Sequence, residues 1–204
     1  MATCPESDSG QSRAKGDKRG RTRAALLEAA RTLIREKGHE NTTLEAIAER
    51  AGMTTGAIYG NFKNRDDLFI VLGQTYWAPI KPKVKPGADL ADIMRAIADA
   101  TIVAIPDRQA AAVGRLTGLA YTLANEEMRE KVATVTADSY AFGEQWLSSV
   151  VQKEDLPMPA AQFVRVLHAL IEGLVLQRLL TPELFPDRVI RAAFAALARD
   201  AHVQ

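Results

Sequence analysis

The sequence predicts an all-α protein, with an N-terminal three-helix helix-turn-helix domain followed by a C-terminal helical bundle. Three observations predict it. Between Thr43 and Leu68, apolar residues recur at helical spacing in short segments on either side of a glycine. From Ala88 onward the apolar pattern is helical to the end, with no convincing strand. Between these regions lies PIKPKVKPG, where prolines and lysines alternate as in an extended polar connector.

The first short helix places Leu44, Ile47, Ala48 and Ala51 on one face. Thr43 precedes it, where a hydroxyl caps the open N–H groups of the first turn. Gly52 follows at the end, a residue that enters a left-handed turn without steric conflict. Thr54 offers a second N-cap, and a second short helix runs through Ile58 to about Asn61. Gly56 and Gly60 lie inside that helix, each at a cost of roughly 1 kcal/mol relative to Ala. Met53, Ala57, Ile58 and Phe62 can face a core. The opposite side carries Thr54, Thr55, Gly56, Tyr59 and Asn61, small or hydrogen-bonding groups that can approach base edges and phosphates. Lys63 and Arg65 flank it, placed for phosphate contacts. Singly, TTG reads as a turn and Tyr59 as a half-buried surface residue. As an ordered set with both caps and the turn glycine in register, they read as a DNA-binding motif that lays its second helix in the major groove.

Residues 23–68 carry Ala29-Ala30, Gly38, Thr42-Thr43, Ile47-Ala48, Ala51-Gly52, Gly56, Ile58-Tyr59, Phe62 and Leu68. In these positions the chain resembles the N-terminal domain of the tetracycline-repressor (TetR) family. The resemblance implies that Thr43 and Tyr59 contact phosphates and that Thr54 to Gly56 face bases. It places Arg65 where the family usually has Lys and Asn61 where it frequently has His, with Lys63 as an additional contact. Beyond this stretch the chain is similar to the family only in length and helical pattern.

Composition agrees with a soluble globular protein, 47% hydrophobic and 25% charged. The net charge of +1 is unevenly distributed. Residues 13–70 hold 12 Lys/Arg against 8 Asp/Glu, and residues 71–204 hold 14 against 15. The small basic excess thus lies on the segment expected to meet phosphates. The only cysteine, Cys4, sits in a polar tail, which excludes a disulfide framework and a cysteine-based metal site. No apolar run has the length of a membrane span, and the N-terminus lacks the apolar core of a secretory signal. A cytoplasmic protein is expected, with no cofactor.

Residues 1–20, rich in Ser, Gly and charge, are expected to be a disordered basic arm. Its basic end, from Arg13 to Arg23, can be a solvated tail or an arm reaching the minor groove. Helix 1 is expected from about Thr22 to Lys37, with Leu26, Ala30, Leu33 and Ile34 inward and Gly38 as its stop. His39 reads as a local loop residue. The DNA-binding domain is set at residues 21–66 and the ligand-binding and dimerisation domain at 67–204. A fourth helix should run from near Asp66 to about Trp77. Further helices are expected over Leu90 to Ile105, stopping at Pro106, then about Asp107 to Ala124, Glu126 to Gln152, Ala160 to Leu180 and Pro186 to His202. The helix from Ala160 is apolar around most of its circumference, with a narrow polar stripe of Arg165, His168 and Glu172. Such a helix needs cover on nearly all sides. The last two helices are therefore expected to pair with their copies in a homodimer, intramolecular burial being the alternative.

Trp77, Met94, Thr101, Tyr121, Tyr140, Phe142, Trp146 and His168 combine apolar bulk with polar tips and are the candidate effector-binding residues. Taken one at a time, each also reads as core. His168 and Glu172 stand at i and i+4, where a hydrogen bond between them explains the pair better than a metal does. No phosphate-cradling loop or nucleophile elbow is present, so an enzyme is not expected. The functional expectation is a homodimeric regulator that represses by binding a palindromic operator in double-stranded DNA and is released by a small, largely apolar effector. The alternative is a DNA-binding module that is constitutive or controlled by a protein partner.

Overall fold

The computed structural model describes residues 9–85 and 87–198. The described residues form eight α-helices and no strand. They are α1 (Ser9–Lys37), α2 (Leu44–Arg50), α3 (Thr55–Tyr59), α4 (Arg65–Tyr76), α5 (Leu90–Ala124), α6 (Glu126–Val150), α7 (Ala160–Leu180) and α8 (Asp187–Leu197). A single 3-10 turn, Lys153–Asp155, lies between α6 and α7.

The chain divides into two compact units. The first contains α1 to α4 as far as Thr75, together with Val113–Ala124 from the end of α5. Its core is built from Leu26, Leu33, Ile34, Ile47, Ile58 and Phe62, with Leu68 and Phe69 of α4 buried alongside. The boundary expected at residues 66 and 67 thus falls inside a segment that groups with the DNA-binding side. The second unit contains Tyr76–Ala112 and the chain from Asn125 onward. Its core is an apolar cluster including Ile93, Met94, Leu147, Phe163, Val175 and Phe194.

Two helix boundaries differ from expectation. α1 begins at Ser9, so residues 9–20 of the expected disordered arm are helical, while residues 1–8, Cys4 among them, lie outside the described residues. No proline occurs between Pro5 and Pro79, and the Gln, Ala, Lys and Arg of this stretch are good helix formers. The helices expected on either side of Pro106 are one, α5. An interior proline removes one hydrogen bond and costs about 3 kcal/mol. Buried residues on both sides of it, Ile105, Arg108 and Ala111, supply packing that offsets this. α8 is described only to Leu197, so the last residues of the expected final helix lie outside the described residues.

α6 and α7 approach closely at Gly143, where an added Cβ would stand 2.9 Å from Val164 Cγ1. Valine is stiff at χ1 and cannot swing away freely. Gly143→Ala should therefore give no stabilisation, despite a helix-propensity gain of up to about 1 kcal/mol. In a Val164→Ala background the same substitution should raise stability by about that amount. Chemical denaturation of the four-member cycle reads this directly, and equal effects in both backgrounds would show that the contact does not constrain the packing.

Candidate nucleic-acid interface

The geometry of α2 and α3 follows from their ends. Thr43 Oγ1 accepts from Ala46 N at 3.2 Å, and Thr54 Oγ1 accepts from Ala57 N at 3.3 Å. Each hydroxyl spends a lone pair on its cap and keeps its own O–H for an outside acceptor. Gly52 turns the chain between the helices at a φ of 65°. Ile58 is wholly buried, whereas Thr55, Gly56 and Tyr59 are exposed, at i, i+1 and i+4 on one face of α3. Tyr59 is 54% exposed, and its hydroxyl donates to Glu45 Oε1 at 3.5 Å. An added Cβ at Gly56 would meet only Thr54 Oγ1 at 3.8 Å, so glycine is not required there by the protein's own packing. Lys63 is exposed beyond the helix, its backbone N–H held by Asp67 Oδ2 at 3.0 Å. α2 is tied to α1 by Arg50, which donates to both carboxylate oxygens of Glu36 at 3.1 and 2.6 Å. That hydrogen bond holds the Glu36 carboxyl below its ordinary value.

Six of the expected DNA-contacting residues, Thr43, Thr54, Thr55, Gly56, Tyr59 and Lys63, are therefore exposed on this unit. Asn61 and Arg65 turn inward instead. Asn61 Nδ2 donates to Ala57 O at 2.8 Å, closing the end of α3, and its Oδ1 is buried. Arg65 donates from Nε to Thr42 O at 2.8 Å, from Nη1 to Tyr121 Oη at 3.2 Å, and from Nη2 to His39 O. Its guanidinium also lies 4.7 Å from the centre of the Phe69 ring. Three of its five N–H donors are so engaged, which makes Arg65 a structural tie within this unit and leaves two donors for another acceptor.

His39, expected to be a local loop residue, is buried at the centre of this tie. Its Nε2 stands 3.1 Å from Gly114 O, so that nitrogen carries the proton and donates. Phe69 meets the ring edge-on at 4.8 Å, and an added Cβ at Gly118 would come within 3.1 Å of Nε2. Gly114 and Gly118, one turn apart on α5, are the sequence signal for this close approach.

The expected effector residues are brought together only in part: Trp77, Met94 and Trp146 share the apolar cluster of the second unit, and Tyr140 meets His168. Tyr121 belongs to the first unit and bonds Arg65, because the end of α5 packs there. Met94 and Thr101 are wholly buried in the second unit, with the Thr101 hydroxyl donating to Ile97 O. Phe142 is 62% exposed, and Trp146 packs against the core. His168 lies edge-on to Tyr140 at 5.4 Å rather than pairing with Glu172. Glu172 Oε1 accepts instead from Trp77 Nε1 at 2.7 Å. Arg108, which carries no local sequence signal, is buried with its guanidinium 4.8 Å from the Trp77 ring centre and 3.8 Å from Glu172 Oε1. Among the described residues no group of three or more His, Cys, Asp or Glu is placed to hold a metal ion. No described helix is long and apolar enough to cross a membrane.

Residues 26–72 match the model of the bacterial regulatory proteins of the tetR family, and this span contains both capped helices and the turn between them. Residues 26–72 are thus a TetR-family segment. It is 33% identical over 82 residues to the transcriptional repressor AcnR of Corynebacterium glutamicum, covering 40% of this chain and 43% of AcnR. It is 49% identical over 47 residues to the transcriptional regulator TtgR of Pseudomonas putida, covering 23% of this chain and 22% of TtgR. The matched stretch is thus less than half the length of these TetR-family relatives. Among solved structures, NalD of Pseudomonas aeruginosa, a secondary repressor of a multidrug efflux pump, is similar at a TM-score of 0.57 and 28% identity. That likeness covers 89% of this chain and 95% of NalD. SmeT of Stenotrophomonas maltophilia shares the fold at a TM-score of 0.60 and 22% identity, over 89% of this chain and 90% of SmeT.

Burial lowers the His39 pKa, the Gly114 hydrogen bond opposes this, and the nearby Arg65 charge lowers it further. The unfolded chain then binds a proton more readily than the folded one just below the usual histidine value of 6.5. Stabilisation from neutral His39 is complete above that pH and is lost as pH falls toward the lowered folded value. Denaturant unfolding of the full chain should show this loss, and His39→Gln, which keeps a donor for the Gly114 carbonyl, should flatten it. Superimposable pH profiles for the two proteins would refute the assignment.

Proposed function

We propose that the protein is a ligand-responsive transcriptional regulator that represses by binding a palindromic operator as a homodimer. The observation that carries this reading is the exposed edge Thr54, Thr55, Gly56 and Tyr59, offered to solvent by a helix whose opposite face is buried. Small side chains and a glycine permit backbone-close approach to base edges, while the Thr43 and Tyr59 hydroxyls and the Lys63 ammonium suit phosphate oxygens. In a symmetric pair the two copies of α3 would enter successive major grooves, about 34–36 Å apart on B-DNA.

The homodimer is supported by a row on α7. Val166, Ala169, Gly173 and Leu180 are exposed and Leu176 is half-exposed, at alternating spacings of three and four. Ala192, Ala195 and Ala196 give α8 a small, exposed apolar side of its own. These are the two helices expected to pair with their copies.

The effector is read as small and largely apolar. Trp77, between Arg108 and Glu172, is the candidate contact that joins an aromatic surface to polar groups. Such a ligand lowers DNA affinity by the ratio of its affinities for the DNA-incompetent and DNA-competent forms. SmeT has been solved with triclosan, which makes that compound the first ligand to try.

A gel shift on DNA flanking the protein's own coding sequence, repeated with triclosan, tests the reading. A shift that competitor DNA does not abolish and that triclosan reverses is expected; no preference over random duplex would overturn it. Tyr59→Ala should weaken binding to operator and random DNA alike, whereas Thr55→Ala and Gly56→Ala should change which sequences are preferred. Uniform loss for all three substitutions would count against base reading by α3. An added Cβ at Gly173 meets nothing within 4 Å of its own chain, so Gly173→Glu should leave the fold intact. In analytical ultracentrifugation it should convert dimer to monomer, and an unchanged dimer would place the interface elsewhere.

A further inference from the structure

We propose that Arg23, assisted by Arg19, is a positioning residue for α3 that governs sequence discrimination without itself contacting DNA. The inference rests on the DNA-binding reading above. α3 spans five residues, and the carbonyls at its exit lack the partners that a longer helix would supply. Two side chains from α1 take their place. Arg23 Nη1 donates to Asn61 O at 2.8 Å, and Arg19 Nη2 reaches Gly60 O at 3.4 Å. The two arginines are one turn apart, so they rise from the same face of α1. Leu26 and Ala30, three and seven residues beyond Arg23, are wholly buried and anchor that helix.

The Arg23 guanidinium also lies 4.6 Å from the centre of the Phe62 ring, which is itself buried. One planar group thus fixes both the last carbonyl after α3 and the aromatic side chain that follows it. A cation at this end also complements the partial negative charge of a helix C-terminus. Asn61 strengthens the same lock through its bond to Ala57 O. With Thr54 holding the entry and Arg23 the exit, the exposed Thr55–Tyr59 edge has one presentation. Lysine carries the charge but lacks the flat fork that stacks on Phe62 while donating to Asn61.

The test compares the wild-type chain with Arg23→Gln, Arg23→Lys and Arg35→Gln. Arg35 is an exposed basic residue of α1 with no bond to α3, so its loss controls for charge alone. Dissociation constants are measured on the operator and on random duplex of equal length over a salt series, with the thermal midpoint of each protein. Both Arg23 variants should lose operator affinity by about tenfold, the effect of one charge-assisted hydrogen bond. Random-duplex affinity should stay within about twofold, and the slope of log affinity against log salt should not change, because no phosphate contact is lost. Arg35→Gln should leave the operator-to-random ratio at the wild-type value. A slope reduced by about one in the Arg23 variants would make Arg23 a phosphate contact and overturn the proposal. Equal losses on both DNAs with a lowered midpoint would make it merely structural, and an unchanged ratio would also refute it. If the wild type itself shows no operator preference, the DNA-binding reading fails first, and that failure is visible before any variant is compared.

Discussion

A helix of five residues cannot hold itself together in water, because nucleation fixes several backbone dihedrals for each hydrogen bond gained. α3 has that length, and the edge proposed to read bases is mounted on it. Its order is therefore borrowed. Thr54 satisfies an N–H at the start, Asn61 and Arg23 occupy carbonyls at the end, and Ile58 and Phe62 anchor the inner side in the core. The outer side is then released from structural duty and can consist of small residues that contribute little to packing.

The basic residues of the first unit consequently do two different jobs. Lys63 stands in solvent, where a phosphate can reach it. Arg65 spends its guanidinium on the carbonyls of Thr42 and His39 and on the Tyr121 hydroxyl, joining the start of α4 to the α1–α2 loop and the end of α5. A count of basic residues thus overstates the donors left for DNA, although the charge of Arg65 itself is not neutralised. The division depends on which arginines find carbonyls, and charge counting is blind to that.

The caps, the turn glycine and the apolar spacing of α2 and α3 are local, and all were legible from the chain alone. So were the start of α6 after Asn125 and the full extent of α7. Most of what escapes the sequence is non-local. The bonds of Arg65 and Asn61 are invisible in the sequence, because their partners are the distant Tyr121 or backbone carbonyls that any residue can offer. His39 looked incidental because Gly114, 75 residues later, is its partner. Pro106 looked like a terminus because propensity weighs the proline and not the packing around it. Chemical type alone cannot separate a fully buried Met94 from a mostly exposed Phe142.

Pro106 also bears on the mechanics of α5. A proline has no amide hydrogen to give to the carbonyl one turn back, so the ladder of rungs along this rod is incomplete at that level. Bending stiffness is lowest where a rung is missing. The same rod contributes its first part to one unit and Val113–Ala124 to the other. Its compliant spot therefore lies in the stretch before the division, near the buried Arg108, and strain arising in that neighbourhood has a soft joint in which to dissipate.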